Sequence, residues 1–424
     1  MSQSELVLAD KVMQRLERLG QITEEPGQLT RTFLSPAMRS AVDQVAEWGR
    51  DLNMGVRLDN IGNLIGRFAA ENPNAPVLLL GSHLDTVPNA GKFDGALGVV
   101  LALACVEKLR KDNTRLPFHL DVIGFSEEEG IRYQAPYLGS SVAAGTFDQR
   151  WLLLRDRQGI SISDAIREFG GDPALLGNDR YRSESLVAYC EVHIEQGPVL
   201  EAHAHPVGIV TAIAGQTRAS VQFQGRAGHA GTTPMNLRRD ALCGAAEFVL
   251  FVESCARSRH ELLATVGTMQ VPQSAGNVIP GRAIVSLDVR HVEDSARRRA
   301  CRELYDKALA IGEARNLEVF WQEVSDNDST VCSESLKGLL SQACRNVSAS
   351  FMLLPSGAGH DAVSMAAVTE AAMLFVRCRA GISHHPDECV SIEDMATAIS
   401  VMNEFISLLA KDFTTEAQRT QGKF

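Results

Sequence analysis

The sequence predicts a mixed α/β fold: a mainly parallel sheet flanked by helices, with a smaller α+β domain of ferredoxin-like order inserted into it. Three observations predict it. Apolar runs of strand length alternate with helical repeats between residues 77 and 126, and strand, helix, strand implies parallel pairing through a right-handed crossover. Residues 216–324 then read β-α-β-β-α-β, the order of a ferredoxin-like sandwich. After about residue 328 the α/β pattern resumes. A chain of 424 residues exceeds what one core usually holds, so the reading is one domain from 1–215 and 328–424, interrupted by a second at 216–327.

Each element has a local reason. Residues 1–50 carry two helices, with Val7, Leu8, Val12, Leu16 and Leu19 on one face of the first and Val42, Val45 and Ala46 on the second. VLLLGS (77–82) is apolar without alternation, as a strand covered on both faces must be; GALGVVLALACVEKLRK (95–111) is a helix, and FHLDVIGFS (118–126) and LVAYCEV (186–192) are further strands. In the inserted part, TRASVQFQG is a strand and 234–258 a helix with proline in its first turn. Strands at 262–271 and 282–291, a helix at 293–316 and a strand at 317–324 follow. A helix at 334–346, a strand at 371–376 and an amphipathic helix at 392–411 close the chain.

Composition narrows the partners. The net charge of −11 argues against a nucleic-acid surface, which needs clustered Lys and Arg, and favours small-molecule ligands. The nine cysteines are scattered with no C-x-x-C pair, so neither a disulfide framework nor a thiolate zinc site is expected. The first twenty residues show no cleavable apolar leader and no run reaches spanning length; a cytoplasmic protein without membrane contact is expected.

Ligands of open parallel sheets collect at the carboxyl ends of strands. In GSHLDTVPNAGKFDG (81–95), His83, Asp85 and Asp94 follow the first such strand, and in SEEEG (126–130) Glu128 and Glu129 follow the second. HIEQG (193–197) follows LVAYCEV, and SHHP (383–386) follows the strand at 371–376. Singly, each of these residues is more often a cap, a turn residue or a solvated acid. Together they are imidazoles and carboxylates without thiolates, the mix that suits Zn²⁺, Mn²⁺ or Co²⁺ in an open site. Asp94 could bridge two ions, with His83 and His193 on one, and Glu129 and a histidine of SHHP on the other. Ions held this way stand roughly 3.5–4 Å apart and acidify a shared water.

The blocks GSHLDTVPNAGKFDG, EEEGIRY with LGS, HIEQGPVLE, GHAGTTPM with RRDA, NVIPG, LDVRH, SGAGHDA and GISHHP, in that order, resemble the M20 metallopeptidase-like clan. Within it the chain is similar to the amidase and carbamoylase group of allantoate amidohydrolases, N-carbamoyl-L-amino-acid hydrolases and β-ureidopropionases. The resemblance implies two divalent ions: His83 and His193 on one, Glu129 and His384 on the other, Asp94 bridging, and Asp85 orienting His83. The family places a small polar residue between its ligand histidine and the proline, so His385 occupies the variable position. Glu128 is implied as general base, taking a proton from water and handing it to the departing nitrogen. The inserted domain is implied to be a lid and homodimer surface. Its His229 would donate to the oxyanion, and Asn277 and Arg290 would hold the substrate carboxylate. Gln196, Arg218, Gly359 and His360 are further candidates for polar contacts.

AGKFDG and EEEGIRYQAPYLGS look closest to allantoate amidohydrolases, which implies cleavage of allantoate to ureidoglycine, ammonia and CO₂. An N-carbamoyl-amino-acid hydrolase or β-ureidopropionase is the alternative. A metal-dependent binding protein without catalysis is the reading from another class.

Overall fold

The computed structural model describes residues 3–421, with side chains through residue 415. It divides into two compact units. The first comprises Met1–Thr211, Cys332–Leu354 and Gly359–Phe424, and the second Ala212–Val331 and Pro355–Ala358. These divisions fall a few residues from the expected 215/216 and 327/328. Hydrogen bonding accounts for the offset: Thr330 and Val331 pair with Ile213 and Ala212, and Ala214 N–H donates to the Ser356 carbonyl.

In the first unit, four neighbouring strands run parallel in the order His119–Phe125, Val77–His83, Leu186–Ile194, Ala371–Val376. Antiparallel neighbours flank them, Leu64–Phe68 on one side and Val207–Ile213 on the other. The parallel strands are apolar without alternation because helices cover the sheet, as the fold class requires. The helix Ala96–Lys111 is the most apolar of these; twelve of its residues are buried, Leu97, Val100 and Leu101 among them, so no solvent face shapes its sequence. Pro36–Asp51 starts where Ser35 accepts the N–H of Met38 and proline fills the first turn. The closing helix Ile392–Gln421 extends beyond the expected 411.

The second unit is an antiparallel sheet in the order Met269–Gln270, Arg282–His291, Gly215–Gln224, Glu318–Asn327. Arg282–His291 alternates buried and half-exposed residues, with Ala283, Val285, Leu287 and Val289 facing the helices Ala241–Arg257 and Asp294–Arg315. Two expectations are corrected here. The strand expected at 262–271 is two short pieces, Leu263–Thr265 and Met269–Gln270, both on Arg282–His291. The helix expected from 234 begins at Ala241, because Asp240 accepts the N–H of Cys243 and caps it, whereas Pro234 leads into the short 3₁₀ turn Met235–Leu237.

Among the described residues, no helix is long and apolar enough to cross a membrane.

Candidate metal centre

Parallel pairing brings the carboxyl ends of the central strands to one edge, and the candidate ligands stand there. His83 ends Val77–His83, in register with Phe125, and His193 sits in Leu186–Ile194 opposite Phe375. Both histidines are therefore ladder residues rather than loop residues as expected, and their backbone is held by the sheet. Asp94 precedes Gly95, whose φ of +62° and ψ of −56° turn the chain into the helix Ala96–Lys111. Only glycine fits at that point: an added Cβ would lie 2.5 Å from the His83 ring. Asp85 takes the N–H groups of Glu128 at 3.0 Å and Glu129 at 3.1 Å on its two oxygens, with Oδ1 also 3.4 Å from His83 Nδ1. One carboxylate thus ties the acidic loop to the first histidine.

Asp94 faces two ways. Its Oδ1 lies 3.4 Å from His83 Nε2 and 3.2 Å from His193 Nε2, while its Oδ2 lies 3.4 Å from His384 Nε2. His384 Nε2 is also 3.4 Å from Glu129 Oε1. The second ring nitrogens turn away from this centre, His83 Nδ1 towards the Asp85 carbonyl at 3.1 Å and His193 Nδ1 towards the Ile194 carbonyl at 2.9 Å. Those contacts set the tautomer that leaves Nε2 for a cation. Glu128 offers an oxygen within 4.8 Å of ligand atoms of His83 and Glu129. His385 lies apart, with Nδ1 3.6 Å from Asp387.

The electrostatics fit a cation. Burial raises the carboxyl of Glu128 well above its ordinary range, and burial together with Asp94 raises Glu129 to about 7. Burial by itself would lower His83 and His193, but Asp85 and Asp94 raise the first well above its ordinary value, and Asp94 raises the second. His384, hydrogen-bonded to Asp94, is pushed up to about 8. Protons thus gather where buried imidazole nitrogens and carboxylate oxygens crowd together, and divalent ions on the same atoms would hold these acids ionised and these imidazoles neutral. His83, His193 and Asp94 supply nitrogen and oxygen to one position, and Glu129, His384 and Asp94 to the other, a donor set that fits two such ions.

The remaining expected residues divide between the units. In the first, Gln196 donates to Asp94 Oδ2 at 2.8 Å, so it buttresses the shared acid. His360 is buried, its ring 4.5 Å from that of His193, and burial with the nearby His193 holds it well below the usual imidazole range, hence neutral. Gly359 is required because a Cβ there would collide with the Tyr137 hydroxyl. Gln196 and His384 adopt left-handed φ of +57° and +56°, backbone strain concentrated at the site.

In the second unit, Gly228–His229 pairs with Val278–Ile279, and Ala230 N–H donates to the Asn277 carbonyl, so His229 and Asn277 are neighbours. His229 Nδ1 accepts the N–H of Gly231 at 3.1 Å, leaving Nε2 as a donor. Arg218 and Arg290 share Asp288: Arg290 Nε donates at 2.8 Å and Arg218 Nε at 3.2 Å. Sequence reasoning missed Asp288, Ser383 and Glu388. Asp288 and Ser383 lie inside quoted blocks, LDVRH and GISHHP, while Glu388 had no signal beyond its place four residues after His384.

The pattern of "Peptidase family M20/M25/M40" matches residues 79–408, most of the chain. The chain belongs to that family. Among its curated relatives this M20 protein is 38% identical to "Probable allantoate deiminase" of Oryza sativa subsp. japonica, over 96% of this chain and 89% of the relative. It is 37% identical to "N-carbamoyl-L-amino acid amidohydrolase" of Geobacillus stearothermophilus, over 96% of this chain and all of the relative (100%). Among solved structures, an "Amidase, hydantoinase/carbamoylase family" from Burkholderia multivorans superposes with a TM-score of 0.89 at 30% identity, covering 95% of this chain and 98% of that one.

Proposed function

We propose that this M20 protein is a metal-dependent amidohydrolase that cleaves a non-peptide C–N bond of a ureido acid, allantoate first among candidates. One observation carries the reading: the two oxygens of Asp94 face different ligand groups, His83 and His193 on one side and His384 with Glu129 on the other. That supports two divalent ions, Zn²⁺ or Mn²⁺, with Co²⁺ third. When bound, such ions would polarise the carbonyl and acidify water.

The chain's own residues do the rest. Water adds to one ureido carbon and a first C–N bond breaks, leaving a carbamate whose remaining C–N bond then breaks with loss of CO₂; the products are ammonia, CO₂ and the free amine (ureidoglycine from allantoate). Glu128, buried beside His83 and Glu129, takes the proton of the attacking water and returns it to the departing nitrogen. His229 Nε2–H donates to the developing oxyanion, and Arg290 with Asn277 receives the carboxylate. Arg218, Gln196 and His360 complete the polar contacts, and the second unit serves as lid and homodimer surface.

The Geobacillus relative supports a second reading, hydrolysis of N-carbamoyl-L-amino acids by the same steps. Ammonia release is measured from allantoate, N-carbamoyl-L-amino acids and β-ureidopropionate side by side, with manganese-loaded protein. Allantoate should give the highest kcat/KM. A higher value for an N-carbamoyl amino acid transfers the assignment to the second reading, and no release from any of the three overturns both.

A further inference from the structure

Glu388 is a buried acid, 3% exposed, and among the described residues it makes no ion pair with lysine or arginine. Its partners lie 294 and 295 positions away: Oε1 accepts the N–H of Asp94 at 2.9 Å and of Phe93 at 2.7 Å. Gly91 is part of the same packing, since a Cβ there would collide with the Glu388 side chain. Oε2 faces the Ser383 hydroxyl at 3.4 Å, but that hydroxyl lies closer to Asp94 Oδ2, at 2.7 Å, which takes its single proton. Ser383 adjoins His384. Glu388 therefore clamps the backbone of Asp94 to the segment that carries His384.

We infer that Glu388 is a positioning residue: through its two backbone hydrogen bonds it sets where the shared carboxylate of Asp94 stands relative to His384. The inference rests on the two-ion reading above. A carboxylate that would bridge two cations has to give one oxygen to each, Oδ1 on the side of His83 and His193 and Oδ2 on the side of His384, and a rotation of the Asp94 backbone would align one oxygen at the expense of the other. The Asp94 side chain is held by Gln196 and Ser383, and its backbone N–H by Glu388.

The test is Zn²⁺ affinity of the full chain, by competition with a chromophoric chelator, in wild type, E388D and E388Q. In E388Q the amide oxygen still reaches both N–H groups, whereas in E388D the carboxylate keeps its charge but is drawn back by one methylene. Wild type should bind two Zn²⁺, E388Q should stay within a few-fold of it, and E388D should lose about 10–100-fold, the usual cost of a disturbed outer ligand contact. E388D with wild-type affinity overturns the inference, as does E388Q as weak as E388D, since charge rather than reach would then matter. Wild type that binds no Zn²⁺ overturns the two-ion reading, and this inference with it.

Discussion

Replacing Gly95 by alanine tests the geometry of the centre at its tightest point. Carbon atoms in good contact stand about 3.5–4 Å apart. The new Cβ would meet His83 ring atoms at 2.5 and 2.6 Å, so ring or backbone must retreat by about 1 Å. The ring has little room, being 1% exposed with Asp85 on one nitrogen and Asp94 on the other. The φ of +62° adds a backbone cost of roughly 1–3 kcal/mol for any side chain. Misplacing a reacting or ligating group by 1 Å costs about 10²-fold in rate. G95A should therefore melt cooperatively at a lower temperature, yet lose metal from the His83–His193 position and about 10²-fold or more in kcat. Gly27 is the control: it too has positive φ, +86°, but an added Cβ meets nothing within 4 Å. G27A should share the backbone cost and keep both metal and rate. Wild-type metal content and turnover in G95A would refute the reasoning.

E128Q keeps the shape of the side chain but cannot accept a proton, so kcat should fall about 10²–10⁴-fold while zinc content stays at the wild-type level; a variant of undiminished rate removes Glu128 as the base. R290A should raise KM for a carboxylate-bearing ureido acid by about 10–100-fold, the worth of a charge-assisted hydrogen bond of about 1.5–3 kcal/mol, and leave an uncharged ureide unaffected; equal effects on both would show that Arg290 does not read the carboxylate. Zinc affinity should fall as pH falls. His384, at about 8, and Glu129, at about 7, must each lose a proton to ligate, as must the raised His83 and His193, so each unit below 8 costs at least about tenfold, and each unit below 7 at least about tenfold more. Chelator competition at pH 6, 7 and 8 measures this, and a flat profile contradicts the assignment of these two groups as ligands.

Local chemistry carried much of the fold into the sequence. Apolar runs without alternation mark the central strands, since a strand covered on both faces has no polar side to display, and the strand at 371–376 and the helix at 334–346 have the bounds read from the sequence. The inserted unit was less legible at the residue level. Asp240, not the proline six residues earlier, opens the helix, and the pairing of 263–265 and 269–270 depends on a partner strand that periodicity cannot name.

What the sequence determined by itself was ligand chemistry and placement along the chain: which imidazoles and carboxylates exist, and that each follows or ends an apolar strand. That much follows from side-chain identity and from strands wanting burial, both local properties. Only the tertiary structure decided which of the paired histidines, His384 or His385, turns towards Asp94, that Asp94 shows its two oxygens to different partners, and that Glu388 reaches back to hold its backbone. Those facts depend on directions and separations of about an ångström between residues as many as 294 positions apart, and such distances arise only when parallel strands and their loops pack together.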